Sequence, residues 1–177
     1  MAAARSFPRK AWQLFPALIA GVAFLGMQSD LSSMPARRLA DYPRLMLWAW
    51  ERPEDLTFIP PDRVGVAFLA ETIWLRGDGV GVIVQPRLQP LRMPPNTTLV
   101  AVVRLEIDRT AAPALTADQR GQVVDEIKRT AGVIQPRGIQ IDFDATVSQR
   151  EFYRELLPEL RRELPPEMAL SMTALPS

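Results

Sequence analysis

Val64–Thr72 reads VGVAFLAET and Thr98–Asp108 reads TLVAVVRLEID, two runs of strand length that are apolar almost throughout. A strand with water on one face alternates apolar and polar residues, whereas a run apolar at nearly every position belongs to a sheet covered on both faces. Leu45–Glu51 (LMLWAWE), Gly138–Ala145 (GIQIDFDA) and Ala169–Ala174 (ALSMTA) are further runs of this kind. Two helical patterns separate the later ones. Thr116, with Gln119 three residues on, forms a capping box that opens a helix to about Gly132, with Val123, Val124, Ile127 and Ala131 as its apolar stripe. Ser148 with Glu151 forms a second box, opening a helix to about Leu164 whose buried face is Phe152, Leu156, Leu160 and Leu164, with a bend or break expected at Pro158. Pro53 is placed for a first helical turn within Glu51–Leu56. Beyond Val64–Thr72, Trp74-Leu-Arg, the turn signal Gly77-Asp-Gly79 and Val80–Arg87 predict a hairpin extension.

Strands this apolar, alternating with helices, predict an α/β fold with a parallel sheet covered by helices. The choice lies between a (β/α) barrel and a doubly wound open sheet. No glycine-rich phosphate turn follows the first strand and no P-loop is present, so the nucleotide-binding open sheet loses its usual support. The strands carry polar residues at their C-terminal ends, where barrel active sites sit. The expectation is a partial TIM-type barrel of about five parallel strands over residues 42–177. A full barrel takes ~250 residues. The chain therefore reads as truncated, and a second polypeptide completing the barrel is an expected partner.

Ahead of this domain, Arg5, Arg9 and Lys10 precede an apolar run, Ala11–Met27, interrupted only by Gln13 and Pro16. A positive segment followed by an apolar one reads as an export signal or a signal anchor. It places the remainder outside the cytoplasm, in the cell envelope or secreted, with the N-terminal segment as the membrane contact. Gln28–Asp41 follows as a polar tether, so residues 1–41 form a leader rather than part of the fold.

The sequence has no cysteine and no histidine. That excludes disulfides, thiol nucleophiles, Ser-His and Cys-His dyads, and zinc sites built on imidazole or thiolate. Its lysines are Lys10 in the leader and Lys128 in a predicted helix, so acid-base chemistry rests on carboxylates. The charge is +1, with 21 basic and 20 acidic residues, and nothing marks a nucleic-acid partner. No cofactor is implied, and no loop shows the spacing of a calcium site.

Strand alternation sorts the polar residues by face. Ile139, Ile141 and Phe143 point to the covering helices, which sends Gln140, Asp142 and Asp144 into the barrel mouth. Arg104, Glu106 and Asp108 share one face of the preceding strand, and Glu71 lies on the face of Ala67 and Leu69. Asp142 and Asp144 stand about 6.6 Å apart along one strand, close enough for one carboxyl to stay protonated while the other is charged. Arg104 alongside could keep one of them ionised. The same cluster also fits a structural arginine–carboxylate network. Trp48, Trp50 and Trp74 offer either stacking platforms for a sugar or ordinary core.

Gly138-Ile-Gln-Ile-Asp-Phe-Asp144 resembles the fourth-strand motif of chitinase-like glycoside hydrolases, Asp-Gly-x-Asp-x-Asp-x-Glu. Gly138 and Asp142 match, Asp144 falls at the catalytic Glu one methylene shorter, and Arg137 and Gln140 replace the first two acids. The segments LWAWERPEDL, VGVAFLAETI, LVAVVRLEID, GIQIDFDATVSQREFYRELL and LSMTAL together resemble the bacterial family called domain of unknown function 3142. That resemblance implies a TIM-barrel, glycoside-hydrolase-like fold of which this chain is the N-terminal half. No assigned reaction comes with that family; the reading of the residues makes Asp144 the general acid and Asp142 its electrostatic partner, with Arg104, Glu106, Gln140, Glu71 and Trp50 binding a carbohydrate. The alternative is a carbohydrate-binding or structural envelope protein without turnover, or an inactive truncated fragment.

Overall fold

The computed structural model describes residues 41–173, Asp78 excepted, so the leader lies outside the described residues apart from Asp41. In chain order the strands are β1 (Leu45–Ala49), β2 (Glu54–Asp55), β3 (Val64–Leu75), β4 (Val82–Pro86), β5 (Leu91–Arg92), β6 (Leu99–Ile107), β7 (Gly138–Asp142) and β8 (Ala169–Met172). Helix α1 (Ala117–Ile134) joins β6 to β7, and α2 (Arg150–Glu163) joins β7 to β8. The main sheet runs β1-β3-β6-β7-β8 with every neighbouring pair along that path parallel. These are the five expected strands. None of the described helices is long and apolar enough to cross a membrane.

Both helices pack on one face of the sheet. Val123, Val124, Ile127 and Ala131 of α1 and Phe152, Tyr153, Leu156 and Leu160 of α2 share one core with Val66, Phe68, Ile73, Ala101, Val103, Leu105, Ile139 and Ile141 of the strands. A doubly wound sheet would carry helices on both faces. Among the described residues no helix covers the second face, as in a barrel interior, and the fold is a partial (β/α) barrel.

The hairpin forms as expected, with β4 antiparallel to the C-terminal half of β3 from Leu75↔Val82 to Glu71↔Pro86. Its turn is longer than Gly77-Asp-Gly79, because Arg76 N donates to Gly81 O at 2.9 Å. Gly79 (φ 83) and Gly81 (φ 80) supply the positive φ that such a turn requires. Gln119, 2% exposed, ties α1 to this turn. Its Nε2 donates to Arg76 O (2.6 Å) and Gly81 O (2.5 Å), while its Oε1 accepts from Leu115 N (2.8 Å). Thr116 caps α1 through Gln119 N at 3.2 Å. The reciprocal half of the box therefore falls one residue upstream, on Leu115.

Several local expectations change. Glu51–Leu56 makes no helical turn: Glu54 N donates to Pro90 O and Leu56 N to Arg92 O, so the segment pairs with β5. Thr146 and Gln149, not Ser148 and Glu151, make the second capping box, around a 3₁₀ turn at Val147–Gln149. Glu151 is taken by Arg154 at 2.8 Å. Helix α2 runs unbroken through Pro158. Leu156 and Leu160, fully buried on either side of it, outweigh the roughly 3 kcal/mol that an interior proline costs.

One irregularity matters for the site. The β3–β6 register slips between Leu69 and Glu71, leaving Ala70 as a bulge. A bulge adds one residue and reverses the facing of everything beyond it. Before it, Val66 and Phe68 face the helices; after it, Ile73 and Leu75 do.

Candidate functional site

Because the five strands are parallel, their C-terminal ends share one edge. On the inner face, register brings Thr72, Arg104 and Asp142 into one row and sets Trp74 beside Glu106 in the next. A cleft of about 370 Å³ opens there, lined by Arg104, Glu106, Arg109, Asp142, Asp144 and Gln149. Arg104 Nη2 pairs with Glu106 Oε1 at 2.5 Å, and its guanidinium carbon lies 5.7 Å from the Trp50 ring centre. Trp48 follows at 6.1 Å from Trp50, tilted by 46°. Arg104 thus spends its charge on Glu106 and its flat face on Trp50, not on a salt bridge to Asp142. Asp142 is half-buried and Asp144 exposed. Among the described residues, neither carboxylate takes part in a hydrogen bond or salt bridge.

Gln140 lies one row deeper, in register with Val102, and accepts from Ser171 Oγ at 3.4 Å. It lines a separate, more apolar cavity of about 250 Å³ with Tyr42, Met46, Trp48 and Val100.

Glu71 is a correction. The alternation of Ala67, Leu69 and Glu71 sends it to the mouth, but the bulge at Ala70 turns it to the helix face. There it is 2% exposed and its Oε2 accepts from Thr130 Oγ1 of α1 at 2.8 Å. Arg129 Nη2 stands 3.5 Å from it, and Oε1 has no partner. Burial pushes the Glu71 carboxyl up to about 7; the Thr130 bond opposes this, and neighbouring Glu126 adds to it. It does not face the mouth. Asp108 also leaves the site: Thr110 donates to it through N (2.8 Å) and Oγ1 (2.6 Å), which holds its carboxyl below the ordinary range.

Sequence reasoning missed the supports beneath the acids. Tyr153 of α2 donates its hydroxyl to Ile141 O at 3.3 Å, and its ring meets Phe143 edge-on at 5.4 Å. Burial, with Asp142 nearby, pushes that phenol up to about 12. Thr173 Oγ1 accepts from Phe143 N at 3.1 Å. Together they fix the backbone from which Asp142 and Asp144 project. The available signal was Tyr153 standing next to Phe152 on the apolar stripe of α2. No three acidic side chains among the described residues gather into a metal site.

Fold and cleft together define an α/β protein of the (β/α)-barrel type with an acidic cleft at the C-terminal edge of its sheet. Residues 96–177 match the model of the family described as Domain of unknown function (DUF3142). The match takes in Asp142 at the end of β7, Asp144 just beyond it, and Arg104 and Glu106 of β6; the segments LWAWERPEDL and VGVAFLAETI precede it. The crystal structure of the Bacillus cereus spore cortex-lytic enzyme SleL is similar in fold, with a TM-score of 0.50 and 19% identity over 75% of this chain and 36% of that one. This chain thus spans little more than a third of that structure's length. No curated protein matches the sequence.

Proposed function

We propose that the C-terminal mouth holds a carbohydrate chain and acts on a glycosidic bond. The observation that carries this reading is the pair Asp142 and Asp144, neighbours in one cleft whose carboxylates are left unbonded by the protein. Asp144 protonates the leaving glycosidic oxygen as its bond to the anomeric carbon breaks, Asp142 stabilises the positive charge that develops on the ring, and the water that adds at the anomeric carbon returns its proton to the Asp144 carboxylate. The Arg104–Glu106 pair orients ring hydroxyls, and Trp50 offers a stacking face. Further strands supplied by a second polypeptide, pairing with the edge of β8 that is unpaired among the described residues, would wall in Asp144. Arg5, Arg9, Lys10 and the run Ala11–Met27 support an exported or membrane-anchored protein working in the envelope.

The test is Asp144→Asn in the full chain, assayed on reducing-end-labelled chito-, cello- and malto-oligosaccharides. Loss of product with binding and unfolding midpoint retained supports a catalytic acid. Saturable binding without product, in parent and variant alike, makes the domain a glycan-binding module. Product formed equally by both refutes the assignment.

A further inference from the structure

We propose that the notch where β1 and β4 meet along the edge of β3 is a second sugar subsite, which makes the ligand an oligosaccharide of at least three units. The inference rests on the carbohydrate reading of the mouth and extends it to a pocket outside the acidic cleft.

The notch follows from strand pairing. Strand β1 covers the edge of β3 from Val64 to Phe68, and β4 covers it from Glu71 to Leu75. Neither pairs with Leu69 or Ala70; Arg87 N, just past β4, donates to Ala70 O at 2.8 Å. The opening left on the inner face is a cleft of about 220 Å³ lined by Glu51, Leu69, Thr72, Gln85, Arg87 and Gln89. Leu69, 4% exposed, gives it an apolar wall.

Two polar groups there are without partners. Thr72 is 7% exposed, and its hydroxyl makes no hydrogen bond among the described residues. Arg87 commits Nε to Gln89 O (3.0 Å) and Nη2 to Arg52 O (2.6 Å), while its buried Nη1 has none. Buried polar groups are normally paired, and Arg87 Nη1 is an exception that asks for an explanation. A pyranose supplies one, with hydroxyls around its rim for Thr72, Arg87, Gln85 and Glu51, and a C–H face for Leu69. One carboxylate and one guanidinium balance in charge, which suits a neutral sugar.

Spacing connects the two clefts. Thr72, Arg104 and Asp142 are in register on adjacent strands, so the backbones of Thr72 and Asp142 lie about 10 Å apart. That is the spacing of alternate rings in a linked chain, so a ring over each cleft leaves one more ring on the Arg104–Trp50 stack between them.

Calorimetric titration of the full chain with chito-, cello- and malto-oligosaccharides of one to four units tests this. For the series that binds, affinity is expected to rise at least tenfold from two units to three. Thr72→Val, which keeps side-chain shape, and Gln85→Ala, at an exposed position that does not threaten folding, are each expected to weaken the three-unit ligand about three- to tenfold and leave the two-unit ligand unchanged. Affinity independent of chain length, or variants that bind three units as the parent does, overturns the second subsite alone. No binding of any series at any length overturns the carbohydrate reading and the subsite with it.

Discussion

Glu71→Gln should make the protein more stable in neutral and alkaline solution, although it removes a charge that stands beside an arginine. The carboxyl has an ordinary value of 4.5 and is pushed up to about 7 in the fold, chiefly by burial. Below pH 4.5 folded and unfolded chains both hold the proton, and Glu71 costs nothing. Between 4.5 and 7 the unfolded chain releases it while the folded chain retains it, so stability falls as pH rises. Above 7 both are ionised and the full penalty applies. At about 1.4 kcal/mol per pH unit, that penalty is about 3 kcal/mol. Glutamine cannot ionise, yet its side-chain oxygen can still accept from Thr130 Oγ1. Arg129 keeps its partner Glu126, whose carboxyl it holds below the ordinary range. Urea unfolding of parent and variant, followed by tryptophan fluorescence at pH 5, 6, 7 and 8, reads the effect. The curves should nearly meet at pH 5 and separate to about 3 kcal/mol at pH 8, or about 6–12 °C in melting temperature. Parallel pH dependence, or a variant less stable at pH 8, would show that Thr130 and Arg129 stabilise the charged carboxylate more than burial opposes it.

Gln119→Ala removes three hydrogen bonds and leaves Arg76 O, Gly81 O and Leu115 N to find others, so it should cost about 2–4 kcal/mol, measured by urea unfolding. Gly138→Ala places a methyl group 2.7 Å from Tyr42 Oη and 3.1 Å from Ala169 O, and should cost about 1–3 kcal/mol. Hydrogen exchange should then quicken at the β7–β8 amides and not at β3–β6; unchanged exchange at β7–β8 would refute the clash.

The five parallel strands were legible in the sequence because each is a compact, mostly apolar run, a signal independent of phase, although only β3 and the middle of β6 are buried on both faces. Helix α1 was legible because Thr116, Gln119 and the Val123–Ile127–Ala131 stripe agree on one start and one face. Strands β2 and β5 were not, since two residues carry no periodicity and their pairing depends on Pro90 and Arg92 arriving from 35 or so residues away. The second capping box was ambiguous in kind: Thr146-x-x-Gln149 and Ser148-x-x-Glu151 overlap, and the Glu151–Arg154 ion pair settles which one forms. At the site, alternation correctly placed Arg104, Glu106 and Asp142 on the inner face. It could not foresee that Arg104 would prefer Glu106 and Trp50 to Asp142, because that depends on side-chain reach and not on register.

The misplacement of Glu71 has a cause that also shapes the mouth. Alternation is a parity argument, and one extra residue inverts it for every position downstream. Without the bulge at Ala70, Glu71 would stand in the row of Arg104 and Asp142, where it would compete with Glu106 for the guanidinium and crowd a third carboxylate toward the acids. Thr72 would face α1 instead. With the bulge, the inner row reads Thr72, Arg104, Asp142, a neutral donor beside a cation beside an acid, and the surplus carboxylate is sent to the helix side. There it is buried against Thr130 and Glu126, at a cost that grows with pH. Thr72 at the mouth and Glu71 against the helix are thus both placed by the same slip in register. Deleting Ala70 removes the extra residue and should leave Glu71 opposite Val103 and Thr72 opposite Arg104, whereas a change that flattens the bulge with Ala70 retained should disturb both together.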